Sequence, residues 1–364
     1  MFLAIRDIRF AKGRFALMGG VVALITLLLV MLSGLTAGLG NQSTSAIADL
    51  PADHIVFGAP AGTSPKASFT ESEVTGAQLA AWAARDGVSR AEGLGISQTR
   101  LQALGAGGDP AGTANVAVFG VDSGGRLAPA PVGEGTVVVG SGLARELDLA
   151  VGSRVSVGGT DLAVSAVVQE QWYSHTGVVW TTLADWRKLA HLAGGNAVAT
   201  VIAASFDDGG ADVPAADEAA GTVSASREGS FQALGSYRSE NGSLMLMQAF
   251  LYGISALVIV AFLTVWTVQR TRDIAVVKAL GGSSAYVLQD AMVQAAVVLV
   301  TGAAAGGAAG VVGGLLAAQA APFLTTVQTT LLPVAGIVVL GLAGAELAVR
   351  GIARIDPLLA LGGN

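Results

Sequence analysis

Three long stretches with almost no charge dominate the pattern of hydrophobic and polar positions. They run from Arg14 to Asp49, from Glu240 to Arg270 and from Asp290 to Arg350, and the only Lys, Arg, Asp or Glu inside them is Glu346. The first two are each long enough for one membrane-spanning helix of about 20 residues, and the third is long enough for two. The pattern therefore predicts a membrane protein with four transmembrane α-helices, one near the N-terminus and three near the C-terminus.

The predicted spans divide the chain into segments. We predict a cytoplasmic N-terminus with helix 1 over 1–40, a large α/β extracellular domain over 41–243 inserted between helices 1 and 2, helix 2 over 244–269, a cytoplasmic segment over 270–287, helices 3 and 4 over 288–350, and a cytoplasmic C-terminus over 351–364. The apolar run that begins at Phe15 is too long for a typical signal peptide, so we expect an uncleaved span. Helix 4 is expected to begin at about Val334, after a polar connection.

Charge supports this topology. Residues 40–243 hold 11 basic and 21 acidic residues, whereas the rest of the chain holds 9 basic and 5 acidic ones. The basic residues outside the insert flank the spans, at Arg6, Arg9, Lys12, Arg14, Arg270, Arg272, Lys278, Arg350 and Arg354. Basic residues that flank membrane spans stay on the cytoplasmic side. We therefore predict a multi-pass protein of the cell membrane with both termini in the cytoplasm. The chain has no cysteine, so its outer domain is stabilised without disulfides.

Glycine spacing in the third span predicts close helix packing. Gly302, Gly306, Gly310 and Gly314 recur every four residues and leave one helix face nearly without side chains. Small residues on one face let a second helix approach closely, which is a main source of attraction between helices in lipid.

The sequence pattern of the inserted domain predicts mixed α/β structure. Strands are expected at 116–121 and 136–139, with a hairpin around Gly158 and Gly159. Helices are expected at 71–85 and 141–149, and a loop at 207–218. The pattern does not order the strands. The domain contains no catalytic motif such as Gly-x-Ser-x-Gly or His-Glu-x-x-His, and the chain has no phosphate-binding loop for ATP, so we expect a non-catalytic membrane subunit.

A family resemblance rests on the segment that follows helix 2. Residues 270–283 read Arg-Thr-Arg-Asp-Ile-Ala-Val-Val-Lys-Ala-Leu-Gly-Gly-Ser, which resembles the coupling helix of the FtsX/MacB-like ABC-transporter permeases. The ending Ile352–Leu361 and the one-plus-three layout of spans are similar to the same family. The resemblance implies a homodimeric permease that binds two copies of a separate ATPase, which carries ATP and Mg, with no intrinsic cofactor and no nucleic acid. It assigns the ATPase contact to Arg272, Asp273, Val277, Lys278, Leu280 and Gly281.

Two further stretches resemble the haem-exporter permeases of Gram-positive bacteria within that family. They are Gln171–Trp180, followed by Trp186, and Gly235–Met247. The resemblance implies export of haem from the membrane outward. Two alternatives stay open: export of a peptide, antibiotic or lipoprotein, and signalling across the membrane to a cell-wall hydrolase.

Candidate haem contacts lie near the ends of helices 1 and 2. Iron is held in proteins by His, Met, Tyr or Cys. The candidate contacts at one predicted membrane depth are Met31, Tyr237, Glu240, Met245 and Met247. The competing interpretation is that the methionines are ordinary lipid-facing residues, Tyr237 an interfacial aromatic residue and Glu240 a solvated flank. His54, His175 and His191 are interpreted as surface or hydrogen-bonding residues.

Overall fold

The computed structural model describes residues 12–105, 107–190, 196–269 and 283–352, with Val276 and Gly281 between the last two ranges. The chain divides into two compact units. The helical unit comprises Met1–Leu39 and Gly242–Asn364, and the sheet unit comprises Gly40–Asn241. The predicted fold class is confirmed: four apolar helices are present, and an α/β domain is inserted between the first and the second.

The described helices are α1 Lys12–Ala48, α2 Gly76–Ala83, α3 Ser141–Glu146, α4 Leu183–Ala190, α5 Val213–Ala220, α6 Gly235–Gln269, α7 Ser284–Ala317 and α8 Val327–Ile352, with a 3₁₀ turn at Gly229–Ala233. Four of them are long and apolar enough to cross a membrane, over Phe15–Ala48, Gly235–Trp266, Leu288–Ala317 and Val327–Ala348.

The strands are β1 His54–Phe57, β2 Val74–Thr75, β3 Val88–Leu104, β4 Pro110–Val121, β5 Thr136–Gly140, β6 Arg154–Val157, β7 Thr160–Val168, β8 Trp172–Tyr173, β9 Thr176–Thr182, β10 Ala197–Ala199, β11 Val201–Phe206 and β12 Val223–Ser226. The strands predicted at 116–121 and 136–139 are confirmed within β4 and β5. The predicted glycine hairpin joins β6 to β7, and both of its turn glycines have positive φ, 54° at Gly158 and 85° at Gly159.

Three long helices extend beyond the predicted spans, while the two compact units divide at Leu39/Gly40 and Asn241/Gly242, within two residues of the predicted boundaries. Helix α1 continues to Ala48, α6 already begins at Gly235, and α8 begins at Val327 rather than Val334. In α1, the Thr44 hydroxyl donates to the Gly40 carbonyl at 2.8 Å, so a polar side chain is satisfied within the helix. At α8, the Thr326 hydroxyl accepts the Thr329 N–H at 3.1 Å and caps the helix. Polar residues are therefore accommodated within the ends of these helices and do not mark where the helices stop.

One long strand, β3, takes part in both halves of the main sheet. The strand order is β12-β1-β11-β3-β4-β9-β5-β7-β6, and β3 also pairs with β6. The first part of β3 pairs with β11, through contacts such as Leu94 with Val201, while its last residues pair with β4 and with β6, as in Leu101 with Val157. The ladder from β3 through β4, β9, β5, β7 and β6 thus returns to β3, which closes the hydrogen bonding and leaves this part without a free edge.

Both faces of the closed part are buried. Along β4, Val116 and Val118 belong to one core together with residues of β5, β6 and β7. Phe119 and Val121 belong to another core that includes Ile47 from the end of α1. Alternate residues of a strand point to opposite faces, so the near-continuous apolar run of β4 follows from two-sided burial.

Two short helices of the sheet unit differ from the prediction. Residues 207–218 were predicted as a loop, but α5 forms over Val213–Ala220. The Asp212 side chain accepts from the Ala215 N–H at 3.1 Å, Pro214 lies in the first turn, and Gly221 ends the helix with φ 61°. The helix predicted over 71–85 is confirmed only as the shorter α2, because a capping box at Thr75 fixes its start.

Close packing around the α7 glycines is confirmed within the helical unit. A Cβ added at Gly306 would lie 2.2 Å from the Ala23 carbonyl oxygen of α1, and one at Gly302 would lie 2.8 Å from the Gly19 carbonyl oxygen. At Gly310 the neighbour is Val30, 2.7 Å away. The glycine face of α7 is therefore where α1 approaches its backbone.

We expect Gly306→Ala to destabilise the protein by about 1–3 kcal/mol, because the added methyl overlaps the α1 backbone. Gly253→Ala in α6 is the matched control, because nothing lies within 4 Å of its added Cβ. It should leave stability unchanged or raise it by up to about 1 kcal/mol through helix propensity. Thermal unfolding of the detergent-solubilised chain measures both. Equal melting temperatures for the two variants would contradict the packing interpretation.

Candidate functional site

One hairpin of the sheet unit is hydrogen-bonded to the end of α1 and to the start of α6. Strands β8 and β9 are joined by the two-residue turn Ser174–His175, whose φ values are 48° and 64°. Two left-handed residues match the twist of a tight hairpin, but this conformation is unfavourable for residues other than glycine. Such a turn persists only where surrounding contacts hold it.

The end of α1 supplies the first set of contacts. The backbone N–H groups of Ser174 and His175 donate to the carbonyls of Ser43 and Gln42, each at 3.0 Å. Further along, the Trp172 N–H donates to the Ser45 hydroxyl at 2.8 Å. The Gln171 amide continues the contact at 3.0 Å from an Asp49 carboxylate oxygen. The hairpin therefore follows the last two turns of α1.

The start of α6 supplies the second set of contacts. The hydroxyls of Ser174 and Ser236 lie 3.0 Å apart. His175 Nε2 lies 2.9 Å from Glu240 Oε2 and 3.1 Å from Ser43 Oγ. The His175 imidazole thus lies within hydrogen-bonding distance of Ser43 on α1 and of Glu240 on α6, and it joins both helices to the hairpin. We call Ser43, Ser174, His175, Ser236 and Glu240 the hairpin clamp.

The structure places the predicted haem contacts as follows. Glu240 lies in the clamp, and its side chain is 41% exposed. Tyr237 packs edge-on against Phe231, with ring centroids 5.9 Å apart. In the helical unit, Met31 of α1 lies beside α7, since a Cβ at Gly313 would be 3.2 Å from its sulfur. Met245 and Met247 are 60% and 53% exposed.

Helix geometry separates the two methionines of α6. Residues seven apart lie on nearly the same side of a helix, whereas residues two apart lie far around it. Met247 therefore shares its face with Glu240, and Met245 lies on another face. The predicted ATPase contacts Arg272, Asp273, Val277, Lys278 and Leu280 lie outside the described residues, and Gly281 is a turn residue with φ 92°.

Sequence reasoning missed most of the hairpin clamp. It correctly interpreted His175 as a hydrogen-bonding residue, but it did not connect this histidine with Glu240, which lies 65 residues further along the chain. The sequence offered one signal: Gln171–Trp180, which contains His175, and Gly235–Met247, which contains Glu240, both resemble the same group of permeases. Within the described residues no cluster of three or more His, Cys, Asp or Glu side chains suits a metal ion.

Two protein families match the sequence. Residues 15–223 match the MacB-like periplasmic core domain, and residues 245–357 match the FtsX-like permease C-terminal region. The first match alone covers more than half of the chain, and the two together reach from the first long helix to the end of the last.

Curated relatives carry a haem-related description. A putative hemin transport system permease protein HrtB of Staphylococcus epidermidis is 26% identical over 131 residues, which are 36% of this chain and 37% of that protein. The chain thus matches little more than a third of this relative's length. A protein of the same description from Staphylococcus haemolyticus is 21% identical over 371 residues and covers 100% of this chain and 99% of that protein.

Among solved structures, the periplasmic region of MacB from Actinobacillus actinomycetemcomitans is similar to this chain with 10% identity and a TM-score of 0.34. The match covers 50% of this chain and 92% of that one.

We expect His175 and Glu240 to be coupled by about 1 kcal/mol, because the pair is hydrogen-bonded and only partly exposed. A double-mutant cycle with His175→Ala and Glu240→Ala measures this coupling from the unfolding of the full chain. The control cycle removes Arg154 and Asp161, an exposed pair at 3.1 Å that should give a coupling near zero. Additive effects of the His175 and Glu240 substitutions would show that the contact between these two side chains does not stabilise the fold.

Proposed function

Because the chain belongs to the family of permeases with a MacB-like periplasmic core domain and an FtsX-like C-terminal region, we propose that it is the membrane subunit of an ABC-type efflux pump. The observation that carries the proposal is the combination of both family regions with four apolar helices in a one-plus-three layout. The chain is a multi-pass membrane protein, and in the proposed topology both of its termini lie in the cytoplasm with the sheet unit outside.

The energy for transport comes from a partner in this proposal. The sequence contains no phosphate-binding loop, so ATP and Mg would be bound by a separate ATPase. The segment between α6 and α7 is short, and it mixes basic residues with apolar ones next to the membrane. It is the proposed docking segment, with two copies of the chain binding two copies of the ATPase.

We expect Leu280→Glu to abolish copurification of the partner ATPase, because a charge would replace the apolar contact of the docking segment. The control is Val151→Glu, an equivalent change at a position of the sheet unit that is 67% exposed. Affinity purification followed by measurement of ATP hydrolysis gives the result. An intact, active complex with Leu280→Glu would contradict the docking assignment, and one permease copy per ATPase pair would contradict the homodimer.

Haem is the proposed cargo. The support is the description of relatives such as the full-length one from Staphylococcus haemolyticus, together with the donor chemistry of side chains along α1 and α6. Methionine and tyrosine are among the side chains that ligate haem iron, and Glu240 adds a polar group beside them. The proposed contacts are Met31, Tyr237, Glu240, Met245 and Met247. A single iron bound on the Glu240 face of α6 would take Met247 rather than Met245, because these two lie on different faces.

We expect the wild-type chain to bind haem with a shifted Soret band. Glu240→Gln and Met31→Ala should each weaken binding at least about tenfold, which is the effect of losing about 1.4 kcal/mol of contact. Tyr237→Phe tests the phenol oxygen while keeping the ring on Phe231, and Met247→Ala against Met245→Ala tests which face is used. The control is Leu246→Ala, which removes an exposed side chain that cannot ligate iron.

Different outcomes of this titration test the proposed binding site and the proposed cargo. Unchanged haem affinity in Glu240→Gln, Met31→Ala and Tyr237→Phe would contradict the assignment of the binding site to these residues. No binding by the wild type, or unaltered haem sensitivity of cells that lack the protein, would remove haem as the cargo and favour a peptide, antibiotic or lipoprotein.

A further inference from the structure

The hairpin clamp contains a carboxylate that is bound on one side and open on the other. Both oxygens of Glu240 lie within hydrogen-bonding distance of His175 Nε2, at 3.0 and 2.9 Å, yet 41% of the Glu240 side chain is exposed. A carboxylate can accept about four hydrogen bonds, and one ring nitrogen uses only part of that capacity. Glu240 therefore keeps lone pairs for a ligand while His175 contacts it.

We propose that His175 is a positioning residue that fixes the Glu240 carboxylate in the direction from which this carboxylate contacts the cargo, and that His175 thereby raises the affinity of the cargo site. This inference rests on the proposed function, in which Glu240 is one of the haem contacts. His175 acts through Glu240 and does not itself touch the haem.

The first observation is that position 175 carries a residue that the turn does not favour. Both turn residues have positive φ, 48° at Ser174 and 64° at His175. Tight hairpin turns of this kind favour Asn followed by Gly, because glycine adopts positive φ without strain. Backbone strain of this sort is concentrated at functional sites. An imidazole in place of glycine thus indicates a role for the side chain at this position.

The second observation is that His175 is itself held from two directions. Its backbone N–H donates to the Gln42 carbonyl at 3.0 Å, and the Ser174 N–H donates to the Ser43 carbonyl at the same distance. On the ring, Nε2 lies 3.1 Å from Ser43 Oγ. A supporting residue can position a binding group only if its own conformation is fixed. Helix α1 provides this, because it contacts both the backbone and the imidazole of His175.

The third observation is that Glu240 depends on this contact for a fixed position. Among the described residues, His175 is the sole hydrogen-bond partner of the Glu240 carboxylate. A glutamate side chain has several rotatable bonds, and ordering them only when a ligand binds lowers the affinity. Residues that orient the ligands of a metal typically change the affinity for that metal by about tenfold to hundredfold. We expect a contribution of this size for haem.

The test is a haem titration of the full chain in detergent, followed by the Soret band. His175→Ala should weaken haem binding at least about tenfold. His175→Gln should restore most of the affinity, because its amide nitrogen can lie near the position of Nε2 and donate to Glu240. Thr176→Val is the matched control: it removes a 2.7 Å hydrogen bond to the Tyr173 carbonyl within the same hairpin and should bind haem as wild type does.

A double-mutant cycle on haem affinity shows whether His175 acts through Glu240. In a Glu240→Ala background, His175→Ala should weaken binding no further. An equal loss in both backgrounds would overturn the proposal, since His175 would then contact haem directly or act through the fold. Tighter haem binding by His175→Ala would also overturn it, because the imidazole would then compete with the cargo for Glu240.

The positioning role and the proposed cargo fail in different ways. If the wild type binds haem and His175→Ala binds it equally well, the positioning role is wrong and haem remains the cargo. If the wild type binds no haem, the cargo is wrong and the positioning role with it. Should His175→Ala fail to fold, His175→Gly removes the same side chain and relieves the strain of the turn.

Discussion

A domain inserted between two membrane helices must bring its first and last residues close together, and here one hairpin meets that requirement. The sheet unit begins at Gly40 within α1 and ends at Asn241 within α6, so both helices continue without a break into it. The Ser174–His175 turn bonds to both, through backbone groups toward Ser43 on α1 and through His175 toward Glu240 on α6. Separating these two helix ends therefore means breaking a set of hydrogen bonds rather than extending a loose linker.

The turn itself depends on the same contacts. Two non-glycine residues with positive φ are unfavourable on their own, and the α1 carbonyls that accept their N–H groups compensate for the strain. Strand β8 pairs with β9, and β9 pairs with β4 and β5, so the hairpin that carries the turn is continuous with the closed ladder.

The sheet closes through β3, and a glycine of the same strand leaves space for a ring that lines a cavity. Its N-terminal part pairs with β11 and its C-terminal part with β4 and β6, so β3 belongs to both halves of the sheet. Gly95 lies where the strand changes partners, opposite Gly120. The missing side chains leave space for the Trp186 ring, which in turn forms one wall of the cavity. The backbone thus determines where this ring lies.

The sequence by itself determined the four membrane helices and the glycine face of α7, because length, hydropathy and four-residue spacing are local properties of the chain. It also determined β4, β5 and the hairpin at Gly158, where apolar runs and turn residues agree. It did not predict that α1 and α6 continue past the spans into the sheet unit, or that α5 forms, since these features depend on caps and on contacts with the hairpin. Tertiary structure alone decided the strand order, the meeting of His175 with Glu240 and the cavity beside Trp186. These features join residues far apart in the chain, and side-chain periodicity carries no information about which distant partners meet.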